Sequence, residues 1–313
     1  MIDADKRMRE FVWYHIHGDG DCNGQVLRAF ALAKGLSRQE CFDLTYFYAT
    51  TYCCVSAIFL LENRNRIRSD YSAFADEYKR KLIFQSDRKY VRMLDNFRSM
   101  LATWANLLDK HGADFDGRFI NRNTIDTKAA ILEIERWFFF RRFSAYLFIE
   151  TYCDILGLEG SRAEGLDYEG DAMTFAGGLF YCFGMDNEAQ YVQAHHKLPT
   201  DQQTFEALLF ELQEQVKAAG GDDNVTKLET SLCAYEKFFK GTRYNGFYAD
   251  RMLGEVVTML AQEEFQSAAR EVLEARERAI PSVYLGEKNG WHGIRKDQKK
   301  AYRENGRISL CPY

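Results

Sequence analysis

Apolar residues recur at three- and four-residue steps along most of this 313-residue chain, and only three prolines interrupt them. Residues at this spacing share one face of an α-helix, whereas a half-buried strand needs strict alternation, which is not sustained anywhere in the chain. With 46% hydrophobic and 28% charged residues, the composition is that of a folded protein with a sizeable core. The sequence therefore predicts an all-α, compact multi-helix globular fold.

Capping residues and glycines indicate where the helices begin and end. Ser37 and Glu40 form a capping box that opens an aromatic-rich helix running to about Glu62. Further predicted helices cover residues 86–111, 124–156, 172–183, 200–219, 223–240 and 248–278, with Gly157, Gly220, Gly241 and Pro281 as stops. We expect a single domain over 1–313. Its alternative subdivision is a core over 1–195 and C-terminal helices with a basic tail over 196–313.

The N-terminal stretch MIDADKRMRE is charged, and no apolar window approaches the roughly 20 residues of a membrane helix. The eight cysteines are scattered without a CxxC pair, which is typical of free thiols in a reducing compartment. We therefore expect a soluble cytoplasmic protein with no membrane partner. The absence of a phosphate-binding glycine loop, a GxSxG elbow and HExxH argues against an NTPase, a serine hydrolase and a zincin.

Two metal interpretations of HIHGDGDCNG fail. The segment matches the first half of a calcium loop, but Phe30 stands where a bidentate glutamate is needed. His15 and His17 are two residues apart, so a helix points them to different sides. No metal site is predicted there.

Charge is segregated although the formal net charge is only -5. Residues 62–98 hold ten basic and six acidic side chains, residues 285–313 hold seven and three, and residues 159–188 hold one and seven. Two basic surfaces would let a protein of net negative charge bind a polyanion locally. Alternatively, these charges lie on solvated helix faces and pair with each other. In the tail, Trp291 and six basic residues from Arg295 to Arg307 suit contacts with bases and phosphates. A tail helix packed on the body through Trp291 and Tyr302 is the alternative.

Three groups of residues are candidates for chemistry. Hydroxyl groups of Tyr48, Thr51, Tyr52 and Ser56 lie in an apolar helical stretch, so each satisfies a neighbour or faces a polar pocket. Arg142 and Glu150 are eight residues apart on one predicted helix face. They form either an internal ion pair or a pocket in which Arg142 binds an anion beside the basic carboxylate of Glu150. A third group of charged residues lies beside aromatic or glycine-rich segments: Arg88, Lys89, Asp167, Glu169, Asp171, Asp250 and Arg251.

Six segments, taken in order, resemble a phage family of amino acid:DNA transferases, also called α-glutamyl/putrescinyl-thymine pyrophosphorylases. They are YATTYCCVSAIFLL, FQSDRKYV, RRFSAYLFIE, the acidic loop leading into AGGLFYCFGMD, FYADRM and GWHGIRKDQ. The resemblance implies a helical fold distantly similar to DNA glycosylases. It also implies double-stranded DNA as a partner, carrying 5-hydroxymethyluracil activated as its pyrophosphate. The amine of a free amino acid or polyamine would displace that pyrophosphate, in the host cytoplasm if the chain is phage-encoded.

This chemistry suggests a role for each candidate. Guanidinium and ammonium groups would bind the leaving pyrophosphate, a carboxylate would deprotonate the amine, and an aromatic ring would stack on the flipped base. The catalytic candidates are Glu150, Asp171, Arg142 and Tyr52. The substrate-binding candidates are Tyr48, Thr51, Ser56, Arg88, Lys89, Phe143, Ser144, Asp167, Asp250 and Arg251, with Arg251 on the amino acid's carboxylate. The DNA-binding candidates are Arg64, Arg66, Arg68, Trp291, Arg295, Lys296, Lys299 and Lys300.

Two features bear on the exact reaction. Where many relatives are expected to carry a polar, basic stretch, this chain has Phe175 to Gly178, which affects the choice of amine. The sequence identifies no cofactor with certainty, and Mg²⁺ on the pyrophosphate is the option that the acidic residues allow. The alternatives to transfer are a glycosylase-like base-flipping enzyme and a non-enzymatic helical DNA- or protein-binding module, in which Arg142 and Glu150 pair internally.

Overall fold

The structure, a computed structural model, describes residues 4–18, 20, 22–85, 91–111, 120–121, 124–137, 140–158, 175–285, 308 and 311–313. The helices are α1 (Ala4–His17), α2 (Asn23–Lys34), α3 (Arg38–Thr51), α4 (Cys54–Glu62), α5 (Arg64–Ser69), α6 (Tyr71–Tyr78), α7 (Val91–His111), α8 (Thr127–Ile134), α9 (Arg142–Leu156), α10 (Ala176–Cys182), α11 (Asp186–His195), α12 (Gln202–Ala218), α13 (Val225–Phe239), α14 (Phe247–Leu260), α15 (Gln266–Ala279) and α16 (Ser282–Leu285). Strands β1 (Ile120–Asn121) and β2 (Thr124–Ile125) form one short antiparallel pair. The all-α prediction is confirmed. None of the described helices combines the length and apolarity that a bilayer span requires.

Contacts along the backbone divide the chain into two interleaved units. Unit 1 comprises Met1–Asp21, Gly160–Asp250 and Gly286–Tyr313, and unit 2 comprises Cys22–Glu159 and Arg251–Leu285. One boundary falls inside α14. These bounds differ from the subdivision at residue 195, and the single-domain expectation stays a prediction.

In unit 2, α3 packs against α4, α7 and α9 through an aromatic core. Trp104 of α7 lies on Phe47, and Tyr46 lies between Trp137 and Phe140, with ring centroids 4.9–5.8 Å apart. Such ring pairs contribute roughly 0.5–1.5 kcal/mol each beyond their buried area. On α7 the apolar residues Phe97, Leu101 and Trp104 are buried, and Leu108 is half-buried.

The helix predicted from Ser37 to Glu62 is broken at Tyr52. The capping box is present, with the Glu40 amide donating to the Ser37 hydroxyl and the Ser37 amide donating to the Glu40 carboxylate. Tyr52, however, is left-handed (φ 52°) and Cys53 is extended, so α3 ends and α4 begins. A non-glycine residue in this conformation costs roughly 1–3 kcal/mol and needs support from its surroundings.

Two other long helices were also predicted as continuous, which is wrong. In the 124–156 stretch, helix begins only after Asp126, which caps α8 at the Ala129 amide (2.9 Å). The stretch then divides between α8 and α9, where Trp137 and Phe140 pack against Tyr46. The 248–278 stretch divides at a 3-10 turn over Glu263–Phe265, where Phe265 is buried against Phe59 at 4.5 Å. In both places the burial of an aromatic side chain in the tertiary structure is more favourable than continuation of the helix.

Unit 1 contains α1 and α10 to α13, with α1 packed against α10, α12 and α13. The helices predicted over 200–219 and 223–240 are confirmed and are capped by Asp201 and Asn224. The predicted 172–183 helix begins later, as α10. A methyl group on Gly178 would lie 2.1 Å from the Leu232 carbonyl oxygen, so this glycine lets α10 approach α13 closely.

Candidate functional site

The turn between α3 and α4 positions two tyrosines. Tyr52 follows the last residue of α3, and its amide donates to the Tyr48 carbonyl at 2.6 Å. The two rings lie 5.6 Å apart at 64°, with 0% of Tyr48 and 6% of Tyr52 exposed. The left-handed backbone at Tyr52 therefore holds its ring against the ring one turn earlier.

A guanidinium lies on the Tyr52 ring. The Cζ atom of Arg251 in α14 is 4.4 Å from the ring centroid, a cation–π distance. Arg251 Nε lies 3.5 Å from Glu255 Oε1, and the two side chains are only 14% and 5% exposed. The tyrosine face and the carboxylate together fix the direction of the guanidinium.

A short segment before residue 86 completes the site. Gln85 donates its amide N–H to the Glu255 carboxylate, and its backbone N–H donates to the Thr51 carbonyl at 3.0 Å. The Ser56 hydroxyl donates to the Ile83 carbonyl (3.0 Å) and accepts from the Ile83 amide (3.1 Å). The segment 83–85 is thereby tied to the α3–α4 turn.

Cys53 brings a thiol to the same carboxylate. Burial raises the pKa of Cys53 well above its ordinary value, and the nearby Glu255 raises this pKa further. The thiol therefore stays protonated and is a poor nucleophile. We call Tyr48, Tyr52, Cys53, Gln85, Arg251 and Glu255 the Tyr52 cluster.

The structure brings together five residues that the sequence analysis selected. Tyr48, Tyr52 and Arg251 belong to the Tyr52 cluster, and Thr51 and Ser56 lie beside it. The Thr51 hydroxyl donates to the carbonyls of Phe47 and Cys53 at 2.9 and 3.3 Å, so it supports the turn, as the Ser56 hydroxyl supports the 83–85 segment. Both hydroxyls are used by backbone groups.

Sequence reasoning missed three members of the cluster, Cys53, Gln85 and Glu255. One signal was available, because Arg251 and Glu255 are four residues apart and thus neighbours on a helix. Asp250, a predicted substrate-binding residue, accepts a hydrogen bond from the Tyr244 hydroxyl at 3.0 Å, within unit 1. Glu255 is the carboxylate that pairs with Arg251.

The candidates of the 141–150 segment lie on α9. Arg142 is its first residue, after an exposed Arg141 with extended backbone, so these arginines lie at the start of a helix and not inside the continuous helix predicted over 124–156. Ser144 and Glu150 are buried, with 5% and 8% exposure. The side chains of Arg142 and Phe143 lie outside the described residues, and their roles stay predictions.

The predicted DNA-binding arginines of α5 have partners inside the protein. Arg64 pairs with Glu40 at 2.6 Å, and Arg66 pairs with Glu77 and lies 5.4 Å from the Tyr78 ring centre. Arg68 is exposed. Other predicted site residues lie outside the described part of the chain: Arg88, Lys89, Asp167, Asp171, Trp291, Arg295, Lys296, Lys299 and Lys300.

Among the described residues, neither the potential metal ligands nor the histidine contacts indicate a second functional site. Over these residues no group of three or more His, Cys, Asp or Glu is placed to hold a metal ion. His15 makes hydrogen bonds with the Ser231 hydroxyl at 2.8 Å and with the Asp222 carbonyl at 2.7 Å. It joins α1 to the start and middle of α13, which is a structural role.

No protein-family model, curated protein or solved structure matches this chain significantly. Any functional conclusion therefore depends on the chemistry of the site and on the resemblance stated above.

Proposed function

We propose that this chain is a DNA-modifying transferase that joins an amine to the 5-methylene of pyrophosphorylated 5-hydroxymethyluracil in DNA and releases pyrophosphate. One observation supports this proposal above the others. Three of the resembling segments, which are far apart in sequence, meet in the Tyr52 cluster: YATTYCC contributes Tyr48 and Tyr52, FQSDRKYV contributes Gln85, and FYADRM contributes Arg251.

The proposed reaction needs positive charge on the leaving group. The amine nitrogen forms a bond to the methylene carbon while the carbon–oxygen bond breaks, and pyrophosphate departs with the electron pair. The sequence alone suggests that Arg251 binds the carboxylate of the amino acid. We propose instead that it stabilises the developing charge, because its guanidinium is held against the Tyr52 ring and Glu255. Arg88 and Lys89 follow Gln85 closely in the sequence and are proposed to add to it.

A carboxylate must accept the proton that the ammonium loses before it attacks as a neutral amine. Glu150 is the base predicted from the sequence, and Glu255 is a second buried carboxylate, in the cluster itself. Tyr52 is proposed to support Arg251, because its ring is 6% exposed and already carries the guanidinium. DNA, the free amine and the modified thymine remain proposed partners.

The test incubates the protein with DNA that contains pyrophosphorylated 5-hydroxymethyluracil and a panel of amino acids and polyamines. Digestion to nucleosides and mass spectrometry then detect the modified thymidine. A mass-shifted thymidine that depends on the amine is the expected result. Its absence under every amine would refute the proposal, and free base with abasic sites would indicate the glycosylase-like alternative.

Variants connect the activity to the cluster. Arg251→Gln should reduce transfer by about 10²–10³-fold, the effect of removing one preorganised donor from a developing anion. Arg278→Gln changes an exposed arginine on α15 and should leave transfer unchanged. Circular dichroism checks that both variants are folded. Equal activity of the two folded variants would exclude Arg251 from the reaction.

A further inference from the structure

A second polar site lies in the N-terminal half of α3. A cavity of about 210 Å³ is lined by Gln39, Asp43, Arg64, Asn65, Arg68 and Trp104, with Leu108 beside them. We call it the Asp43 cleft. Asp43 and Tyr52 are nine residues apart, about 13 Å along a helix axis, so the cleft and the Tyr52 cluster are distinct.

The floor of the cleft is a buried carboxyl group. Asp43 is 2% exposed, and its Oδ1 accepts from Trp104 Nε1 at 2.9 Å and from Gln39 Nε2 at 3.0 Å. The described residues donate no hydrogen bond to Oδ2. Gln39 also lines the cleft, and its amide has a carbonyl acceptor in addition to the N–H that it donates to Asp43.

Burial raises the pKa of Asp43 to about 6, while hydrogen bonds from Trp104 and Gln39 and the charge of Arg64 lower it, and Glu40 raises it. At neutral pH the carboxyl is therefore mostly ionised. A buried carboxylate with an unfilled oxygen gains most from a ligand that donates and carries positive charge.

The mouth of the cleft favours a negatively charged group. Arg64 and Arg68 line it together with the exposed Asn65 amide. Arg64 is already paired with Glu40, at 35% and 25% side-chain exposure, so it is oriented yet remains in reach of solvent. Guanidinium and amide donors at this position favour a carboxylate or another anion.

Ligands that carry only one sign of charge, and larger groups such as a nucleobase, fit this cleft less well. A free anion would meet the Asp43 carboxylate at the floor, and a divalent cation would meet two arginines at the mouth. A guanine edge needs both carboxylate oxygens, but two protein donors already occupy Oδ1. The volume equals that of about seven liquid water molecules, which suits a small organic molecule.

We propose that the Asp43 cleft binds a small zwitterion such as a free amino acid, with its ammonium on Asp43 and Gln39 and its carboxylate toward Arg64 and Arg68. This binding does not depend on the proposed transfer, although the amine donor of that reaction has the same chemistry. It is therefore measured on the full-length protein without DNA, so that a failure of binding and a failure of transfer are separate results.

The probes are glycine, L-glutamate and 4-aminobutyrate, with acetate and methylammonium as single-charge controls, measured by calorimetry and NMR. At least one zwitterion should bind at least about tenfold more tightly than either control, a difference of about 1.4 kcal/mol. No saturable zwitterion binding at millimolar concentration would overturn the proposal. Equal binding of acetate would overturn it in favour of an anion site, and equal binding of methylammonium in favour of a cation site.

Matched variants test the placement. Asp43→Asn keeps the shape of the side chain and should weaken zwitterion binding by at least about tenfold. Arg68→Gln should weaken it less, whereas Arg66→Gln, on the same short helix but paired with Glu77, should not change it. If Asp43→Asn does not fold, Arg68→Gln and Asn65→Ala carry the test, because both change exposed side chains. Unchanged binding in these folded variants would overturn the placement.

Discussion

At the C-terminal end of α3, an arginine lies on a tyrosine ring beside a buried glutamate, whereas in its N-terminal half a buried aspartate faces two arginines across a cleft. Arg251 and Glu255 are 14% and 5% exposed, while Arg64 and Glu40 are 35% and 25% exposed. Arginine–glutamate pairs therefore act differently at the two ends of α3. The enclosed pair fixes a charge in one direction, and the open cleft leaves its charges in reach of a ligand.

The largest expected difference concerns the two ion pairs. Glu255→Ala should reduce the free energy of unfolding by about 3–5 kcal/mol, because it leaves a largely buried guanidinium without its carboxylate. Glu40→Gln should cost less than about 1 kcal/mol, because its pair with Arg64 is partly solvated and glutamine can retain the capping box. Urea unfolding measures both values, and similar costs would remove the contrast between the two ends.

The pH dependence of Asp43 sharpens the description of the cleft. Its pKa is about 6 in the folded protein and 3.8 ordinarily, so the folded state holds the proton more tightly. The resulting stabilisation is complete below about pH 4 and is lost as the pH rises through about 6. Relative to Asp43→Asn, the wild-type protein should lose up to about 3 kcal/mol over this range.

Urea unfolding of both proteins from pH 4 to pH 7 measures this loss. Asp201 is the control with the opposite sign, because hydrogen bonds from Thr204 lower its pKa. Its contribution is present above its ordinary pKa of 3.8 and is lost only as the pH falls below that value. Relative to Asp201→Asn, the wild-type protein should therefore lose almost no stability between pH 4 and pH 7 and should lose it below pH 4. A pH-independent difference between wild type and Asp43→Asn would contradict the raised pKa of Asp43.

Removing the Trp104 hydrogen bond to Asp43 should have a smaller effect on stability. Trp104→Phe leaves a buried carboxylate oxygen with one donor fewer and should cost about 1–3 kcal/mol. It should also raise the pKa of Asp43 above about 6, because the Trp104 hydrogen bond lowers it. A double-mutant cycle with Asp43→Ala isolates this pair, because alanine removes the acceptor, and additive costs would show that the hydrogen bond contributes nothing.

The smallest effects compare one supporting hydroxyl with one rim side chain. Ser56→Ala should cost about 1–2 kcal/mol, because the Ile83 amide and carbonyl both lose their partner. Asn65→Ala, at the open rim of the cleft, should stay within about 0.5 kcal/mol. Thermal unfolding of the two variants measures the difference, and a costlier Asn65→Ala would mean that the rim is also structural.

Local signals predicted much of the helical framework. The Ser37–Glu40 capping box, the Asp201 cap and the Gly157, Gly220 and Gly241 stops act within one or two turns, so they are readable from the sequence. The breaks at Tyr52, Trp137 and Phe265 were missed. Each depends on an aromatic side chain that packs against residues distant in sequence, which no local pattern reports.

The candidate site divides in the same way. Tyr48, Tyr52 and Arg251 were selected as polar groups in apolar or aromatic surroundings, a property visible in the sequence. Gln85, Glu255 and Asp43 were missed because their importance comes from the partner that tertiary folding supplies. Gly178 shows the same limit, since the contact that requires a glycine is the Leu232 backbone on another helix.

The sequence by itself determined that this chain is helical, where many of its helices begin and end, and which hydroxyls and arginines lie in unusual surroundings. Only the tertiary structure decided which of these charges are enclosed and which are open. The physical reason is that helix formation depends on residues three and four apart, whereas desolvation of a charge depends on every chain segment that packs around it.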